Sequence, residues 1–286
     1  MRATTTALLL PLTLLLTACP EEVNDRPAPG DPSPTEDANG EVAVCLEGEE
    51  WVGDGSFAVG ETGEADADSV RALRWEAHDG CERFVIDLAD AQGNPAEGAG
   101  DVSVEVLRDL GVVRVTLRDV EWVAQEATDE TFEGELARGA YTVWADEGRW
   151  VFVDIHLGGE AEAHAAVLDD PARVVVDLRP GGGTVPAPAA VDQRVVVLEP
   201  RPGPASYPLT VTGYARTFEA NVVARIEQDG EEVAEDFTTA TAWADAWGYY
   251  SLTFEDGPSG AIELHVGEHS AKDGTWEGTV VELEMR

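Results

Sequence analysis

Apolar residues recur at every second position in short runs that Gly, Asp or Asn repeatedly interrupt, and no long helical stripe is evident. Successive side chains of a strand point to opposite faces, so period two in branched and aromatic residues specifies strands. Runs of this kind cover 71–77, 83–89, 102–109, 112–122, 140–146, 149–157, 162–170 and 173–179. They resume at 194–200, 209–215, 219–228, 231–237, 249–255, 261–268 and 279–286. Regular spacing with turn signals predicts an all-β chain of sandwiches or barrels. Asp229-Gly230, between two runs, is the pair favoured in a tight hairpin.

The pattern breaks at Arg179–Gln193, RPGGGTVPAPAAVDQ, where Gly and Pro signal a linker. The expected organisation is a signal at 1–18, a stalk at 19–40, a β domain at 41–180, a flexible hinge at 181–193 and a β sandwich at 194–286. At the N-terminus, Arg2 and the apolar run Ala7–Leu16 form a signal-like segment, too short for the roughly 20 residues of a spanning helix. Its end, Leu16-Thr17-Ala18-Cys19, resembles the lipobox of bacterial lipoproteins. That resemblance implies lipidation at Cys19 and a membrane anchor on the extracytoplasmic face. Pro20–Gly40 is rich in proline and acids and nearly free of apolar residues, so it is expected to stay unfolded as a spacer.

The chain carries 57 acidic against 18 basic residues, a formal charge of −39. Without a basic patch to neutralise phosphates, nucleic acid is not an expected partner. An anionic bilayer would repel the folded part and leave the lipid to hold it. Beyond Cys19 two cysteines remain, Cys45 and Cys81, which an exported chain can keep as a disulfide or as two buried thiols.

Catalytic chemistry finds little support. His156 and His164 flank Glu160 and Glu162 around an expected hairpin bend, a ligand set without a compact zinc signature. Glu64–Asp68 alternates carboxylates but lacks the glycine and the terminal glutamate of a calcium loop. There is no nucleophile elbow and no cysteine with a reason to be activated. The expectation is therefore no catalytic residue, no metal and no cofactor. Trp75, Trp122, Trp144 and Trp150 lie in strand runs and are expected in the core; Trp243 and Trp247 stand where a loop approaches a strand, open to packing or to stacking on a sugar. Lys272, the only lysine, sits among acids that favour its charged form, so it reads as an exposed turn residue, not a catalytic amine.

Two resemblances add to this reading. YPLTVTGYARTFEANVVARIEQDGEEV, then WGYYSLTF and SAKDGTWEGTVVEL, resemble the immunoglobulin-like domain of bacterial spore-germination lipoproteins. Its landmarks fall on Pro208, Gly213, Ala215, Phe218, Glu219, Asn221, Gly248, Ser270, Asp273 and Gly274. Upstream, HDGCERFVIDL and VLDDPARVVVDLRP resemble the AMIN-like module of bacterial envelope proteins, through His78, Asp79, Gly80 and Arg83 and then Asp170, Pro171, Arg173, Val175 and Asp177. Cys81 replaces a usual aromatic and Glu82 a usual Asp, which would make a disulfide a local elaboration. Together they imply a non-catalytic envelope protein: an AMIN-like β domain, then an immunoglobulin-like sandwich, binding peptidoglycan or an envelope protein. The alternatives are a sporulation or germination factor and an accessory subunit of a cell-wall hydrolase.

Overall fold

The computed structural model describes residues 45–286 apart from 47, 49, 58, 60–64, 146–149 and 244. The expected signal, Cys19 and the stalk lie outside the described residues. Residues 43–286 form one compact unit, nearly all β. Its N-terminal lobe comprises β1 (Gly55–Phe57), β2 (Ser69–His78), β3 (Cys81–Ala89), β4 (Val102–Leu107), β5 (Val112–Leu117), β6 (Trp122–Val123), β7 (Asp129–Thr131), β8 (Ala137–Ala145), β9 (Trp150–Leu157), β10 (Ala161–Leu168) and β11 (Arg173–Pro180). Its C-terminal lobe comprises β12 (Ala190–Val191), β13 (Val195–Glu199), β14 (Gly203–Ala205), β15 (Leu209–Ala215), β16 (Asn221–Gln228), β17 (Glu231–Thr239), β18 (Trp247–Phe254), β19 (Gly260–His269) and β20 (Trp276–Met285).

Each lobe is a two-layer sandwich. In the first, β1-β4-β5-β9-β8, with β7 also on β8, faces β10-β11-β3-β2-β6. Phe84, Ile86, Val104, Val115, Val153, Ile155, Val176 and Leu178 fill the space between them. In the second, β18-β15-β13-β12 faces β14-β20-β19-β16-β17 around Val211, Val222, Ile226, Leu252 and Leu264. Alternation accounts for this directly: every second residue of β3 and β16 enters a core. Asp229 and Gly230, both at positive φ (55° and 80°), close the β16–β17 hairpin as their sequence requires.

The run 112–122 is not one strand. β5 ends at Leu117, and the chain crosses to the opposite sheet, where β6 pairs in parallel with β2. This leaves Trp122 65% exposed, contrary to its expected place in the core. Trp75, Trp144 and Trp150 pack partly buried against the cores.

The two lobes on either side of the expected hinge are also joined to each other. β8 and β18, one from each lobe, pair in parallel through Val143–Trp247 and Trp144–Gly248, making one ten-stranded sheet. Unpaired strand edges attract partners, and here two edges satisfy each other. A third apolar cluster, Val143, Phe152, Val196, Leu198, Tyr214 and Trp247, seals the junction. The Gly/Pro segment is tied down as well: Ala189 N–H donates to Val197 O at 2.9 Å, and Arg201 donates to the Ala187, Asp109 and Leu110 carbonyls.

Candidate functional site

The motif residues of the first lobe serve mainly as framework. Asp79 and Gly80 make the exposed β2–β3 turn, with Gly80 at φ 97°. Arg83 on β3 faces Asp177 on β11 and grips it with two hydrogen bonds of 2.7 Å. Asp177 is fully buried and also accepts from the Leu46 N–H. A disulfide between Cys45 and Cys81 lies beside this pair and pins the incoming chain. Arg173 stands at the far end of β11 opposite Asp87, after Pro171 in an exposed turn.

The second lobe disperses its landmarks. Gly213 is buried beneath Tyr250, while Phe218 is half exposed and donates its N–H to Glu268 at 2.8 Å. Glu219 takes a positive φ of 53° in a short 3-10 turn. Ser270, Asp273 and Gly274 share the turn between β19 and β20: Gly274 N–H donates to Ser270 O at 2.8 Å, and Asp273 accepts from Thr275. The Thr275 hydroxyl holds the Asp273 carboxyl below its ordinary range. Lys272 is exposed on this turn. Lys272→Ala is therefore expected to change unfolding free energy by less than about 0.5 kcal/mol. Gly274 has φ 74° with open space around a would-be Cβ, so Gly274→Val should cost about 1–2 kcal/mol through backbone conformation alone. Chemical denaturation of both variants checks the contrast.

One open cleft touches the motif hairpin. It encloses about 360 Å³ and is lined by Trp75, His78, Cys81, Glu133, Leu136 and Pro180, among others. Glu82, buried at its base, accepts N–H bonds from Glu135, Leu136 and Ala137 at 2.6–2.9 Å and from Trp75 Nε1 at 3.1 Å. A carboxylate that takes four donors fixes both the loop and the indole, since charge-assisted hydrogen bonds are the strong ones. Trp75 is further braced by Phe132, stacked at 5.6 Å. Glu133 and Glu135 stay exposed on the rim. The result is a preformed acidic slot with an aromatic wall, a shape suited to a sugar face or an ammonium-bearing peptide.

His156 and His164, weighed above as a ligand set, are not brought together. β9 lies in the ten-stranded sheet and β10 in the opposing one, so the bend after His156 carries the chain across the sandwich. His164 packs against Trp51, whereas His156 packs against Tyr141 and Tyr214. Trp247 is likewise buried, 1% exposed, and not free to stack on a sugar; Trp243 is 56% exposed.

What the sequence reading missed is the polar network at the junction. Val151, Val153, Ile155 and Leu157 of β9 face the first core, so Phe152, Asp154 and His156 face the other way. That face is buried against the second lobe. Arg114 holds Asp154 with two 2.7 Å bonds, and the Tyr214 hydroxyl donates to the same carboxylate. Burial pulls the Arg114 pKa down, but the Asp154 charge and hydrogen bonds outweigh it and hold that pKa above its ordinary value. Burial, aided by Asp154, drives the Tyr214 hydroxyl well above its usual range.

His156 has both ring nitrogens buried without a partner, and burial pushes its pKa down to about 4, only partly opposed by Asp154. The native state therefore holds His156 neutral, whereas an unfolded histidine gains its proton near pH 6.5. Stability from this residue is complete above pH 6.5 and is lost as pH falls toward 4, by about 3 kcal/mol. Denaturant unfolding between pH 7 and pH 4, compared with His156→Leu, should show this slope flattened in the variant.

No curated protein and no solved structure matches the chain. Residues 194–275, which run from the start of β13 to the turn before β20, match the family described as the immunoglobulin-like domain of bacterial spore germination.

Proposed function

We propose that the chain is a lipid-anchored binding protein of the bacterial cell envelope, non-catalytic, with peptidoglycan or an envelope protein as its ligand. The family match at 194–275 carries the reading, because such a domain fits a binding or germination-related role. The lipobox-like LTAC at Leu16–Cys19 supports the anchor, and the AMIN-like motifs around Arg83 and Asp177 support envelope recognition by the first lobe. The slot beside Trp75 is then the place of contact. Because the lobes share a sheet, an anchored chain would present both as one body.

Co-sedimentation of the intact protein with isolated peptidoglycan tests the ligand. Wild type is expected in the pellet and Trp75→Ala largely in the supernatant. Because Trp75 also stacks on Phe132 and donates to buried Glu82, the variant's melting temperature should fall too, so the assay is run well below it, where circular dichroism shows the variant folded. Added salt should leave binding intact, since both partners are rich in carboxylates and salt screens their repulsion. Absence of wild type from the pellet at every salt concentration removes peptidoglycan and leaves a protein partner. In a bacterial host the protein should partition into detergent, and Cys19→Ser should abolish that partition. A germination role, which the family description also favours, is separated by genetics: loss of the gene would delay germination even where wall binding by purified protein is absent.

A further inference from the structure

The outer face of the second lobe carries a cluster that neither the family match nor the envelope reading uses. On β16 and β19, Val222, Ala224, Ile226, Leu264 and Val266 point into the core. The alternate residues Arg225, Glu227, Glu263 and His265 therefore point outward. Register places Glu227 opposite Glu263 and Glu263 opposite Glu282, a row of three carboxylates across three strands. Like charges directly opposite are destabilising in a sheet, so this row calls for a cation.

We propose that Glu227, Glu263 and His265 bind a divalent transition-metal ion of the zinc class. His265 Nε2 stands 3.4 Å from a Glu227 carboxylate oxygen and 3.3 Å from one of Glu263. All three donor atoms lie within 4.8 Å of one another. Nε2 is shut off from solvent yet forms no hydrogen bond with either oxygen, although both are close. Donors that approach without aiming at each other are arranged around a common point. Metal–nitrogen and metal–oxygen distances of about 2.0–2.2 Å give a tetrahedral edge of about 3.3–3.6 Å, which the two histidine–carboxylate separations match.

The surroundings fit a ligand set. Arg225 holds the other oxygen of Glu227 at 3.0 Å while its guanidinium lies 4.3 Å over the Trp276 ring, so it orients Glu227 and leaves the ligating oxygen free. An outer partner of this kind is what tunes a metal ligand. A groove of about 640 Å³ runs past Glu227, Glu263 and Glu282, giving an entry path and room for a water or the Glu282 carboxylate in the fourth position. One imidazole nitrogen with two carboxylate oxygens suits zinc and its neighbours, whereas calcium and magnesium prefer oxygen alone. The site is independent of the envelope reading.

The test uses the intact, tag-free protein, stripped with chelator and titrated with zinc chloride and, separately, cobalt chloride. Diffuse binding to so many carboxylates is expected to be weak, with one tight equivalent above it that raises the melting temperature. Cobalt at that equivalent should show the visible absorption of a four-coordinate nitrogen–oxygen site. Loss of an outer partner costs about 10–100-fold in affinity, so His265→Ala and Glu263→Gln should lose at least that much. Glu263 is 57% exposed, so Glu263→Gln should fold with the metal-free melting temperature of wild type and decides the matter should His265→Ala misfold. Zinc affinity and melting shift in Glu263→Gln equal to those of wild type, or the absence of a saturable tight equivalent, would overturn the proposal.

Discussion

Asp154→Ala should destabilise the protein by about 3–5 kcal/mol. Asp154 is fully buried, and its carboxylate accepts from both the Arg114 guanidinium and the Tyr214 hydroxyl. Removing it leaves a guanidinium that is only 22% exposed without its counter-charge, and a buried phenol without an acceptor. The cost comes from that stranded pair far more than from the lost attraction. The double variant Asp154→Ala/Arg114→Met should thus recover much of the loss, because an apolar replacement of both partners can be nearly neutral. Urea unfolding of wild type, the single variant and the double variant measures this. A single variant within 1 kcal/mol of wild type would show the network to be dispensable.

Gly213→Val should cost about 4 kcal/mol or more and disrupt the second lobe. A Cβ at Gly213 would sit 1.9 Å from the Val196 carbonyl oxygen and 2.7 Å from the Tyr250 hydroxyl. Tyr250 is the cross-strand neighbour of Gly213, and its ring crosses the glycine to donate its hydroxyl to that same carbonyl at 3.2 Å. Any side chain here must push a backbone carbonyl aside and break a buried hydrogen bond. Gly213→Ala carries the same clash, so it too should unfold at clearly lower urea. An alanine variant with a wild-type midpoint would refute this account of the glycine.

Several features were legible in the chain because they are local. Period two in Cys81–Ala89 and Asn221–Gln228 made strands of both, with one face for each core. Asp229-Gly230 announced its hairpin, since few residues other than Gly, Asn or Asp accept two successive positive φ values. At Gly213 the motif coincides with a packing constraint set by the Tyr250 ring and the Val196 carbonyl. Of the candidate cleft, the sequence marked His78 and Cys81, but Glu133 and Leu136 enter from a loop more than fifty residues away along the chain.

By itself the sequence determined the all-β class, the main turns and which side chains of a strand share a face, because each follows from neighbours within a few residues. Only the tertiary structure decided that the polar face of β9 is buried, that Trp122 is exposed and that β8 and β18 join two sandwiches into one sheet. Alternation assigns residues to a face without saying what covers it; that depends on which distant strand closes over it. The same holds for Glu227, Glu263 and His265, ordinary outward residues in their own runs, whose donor atoms meet only because two strands pair in one register.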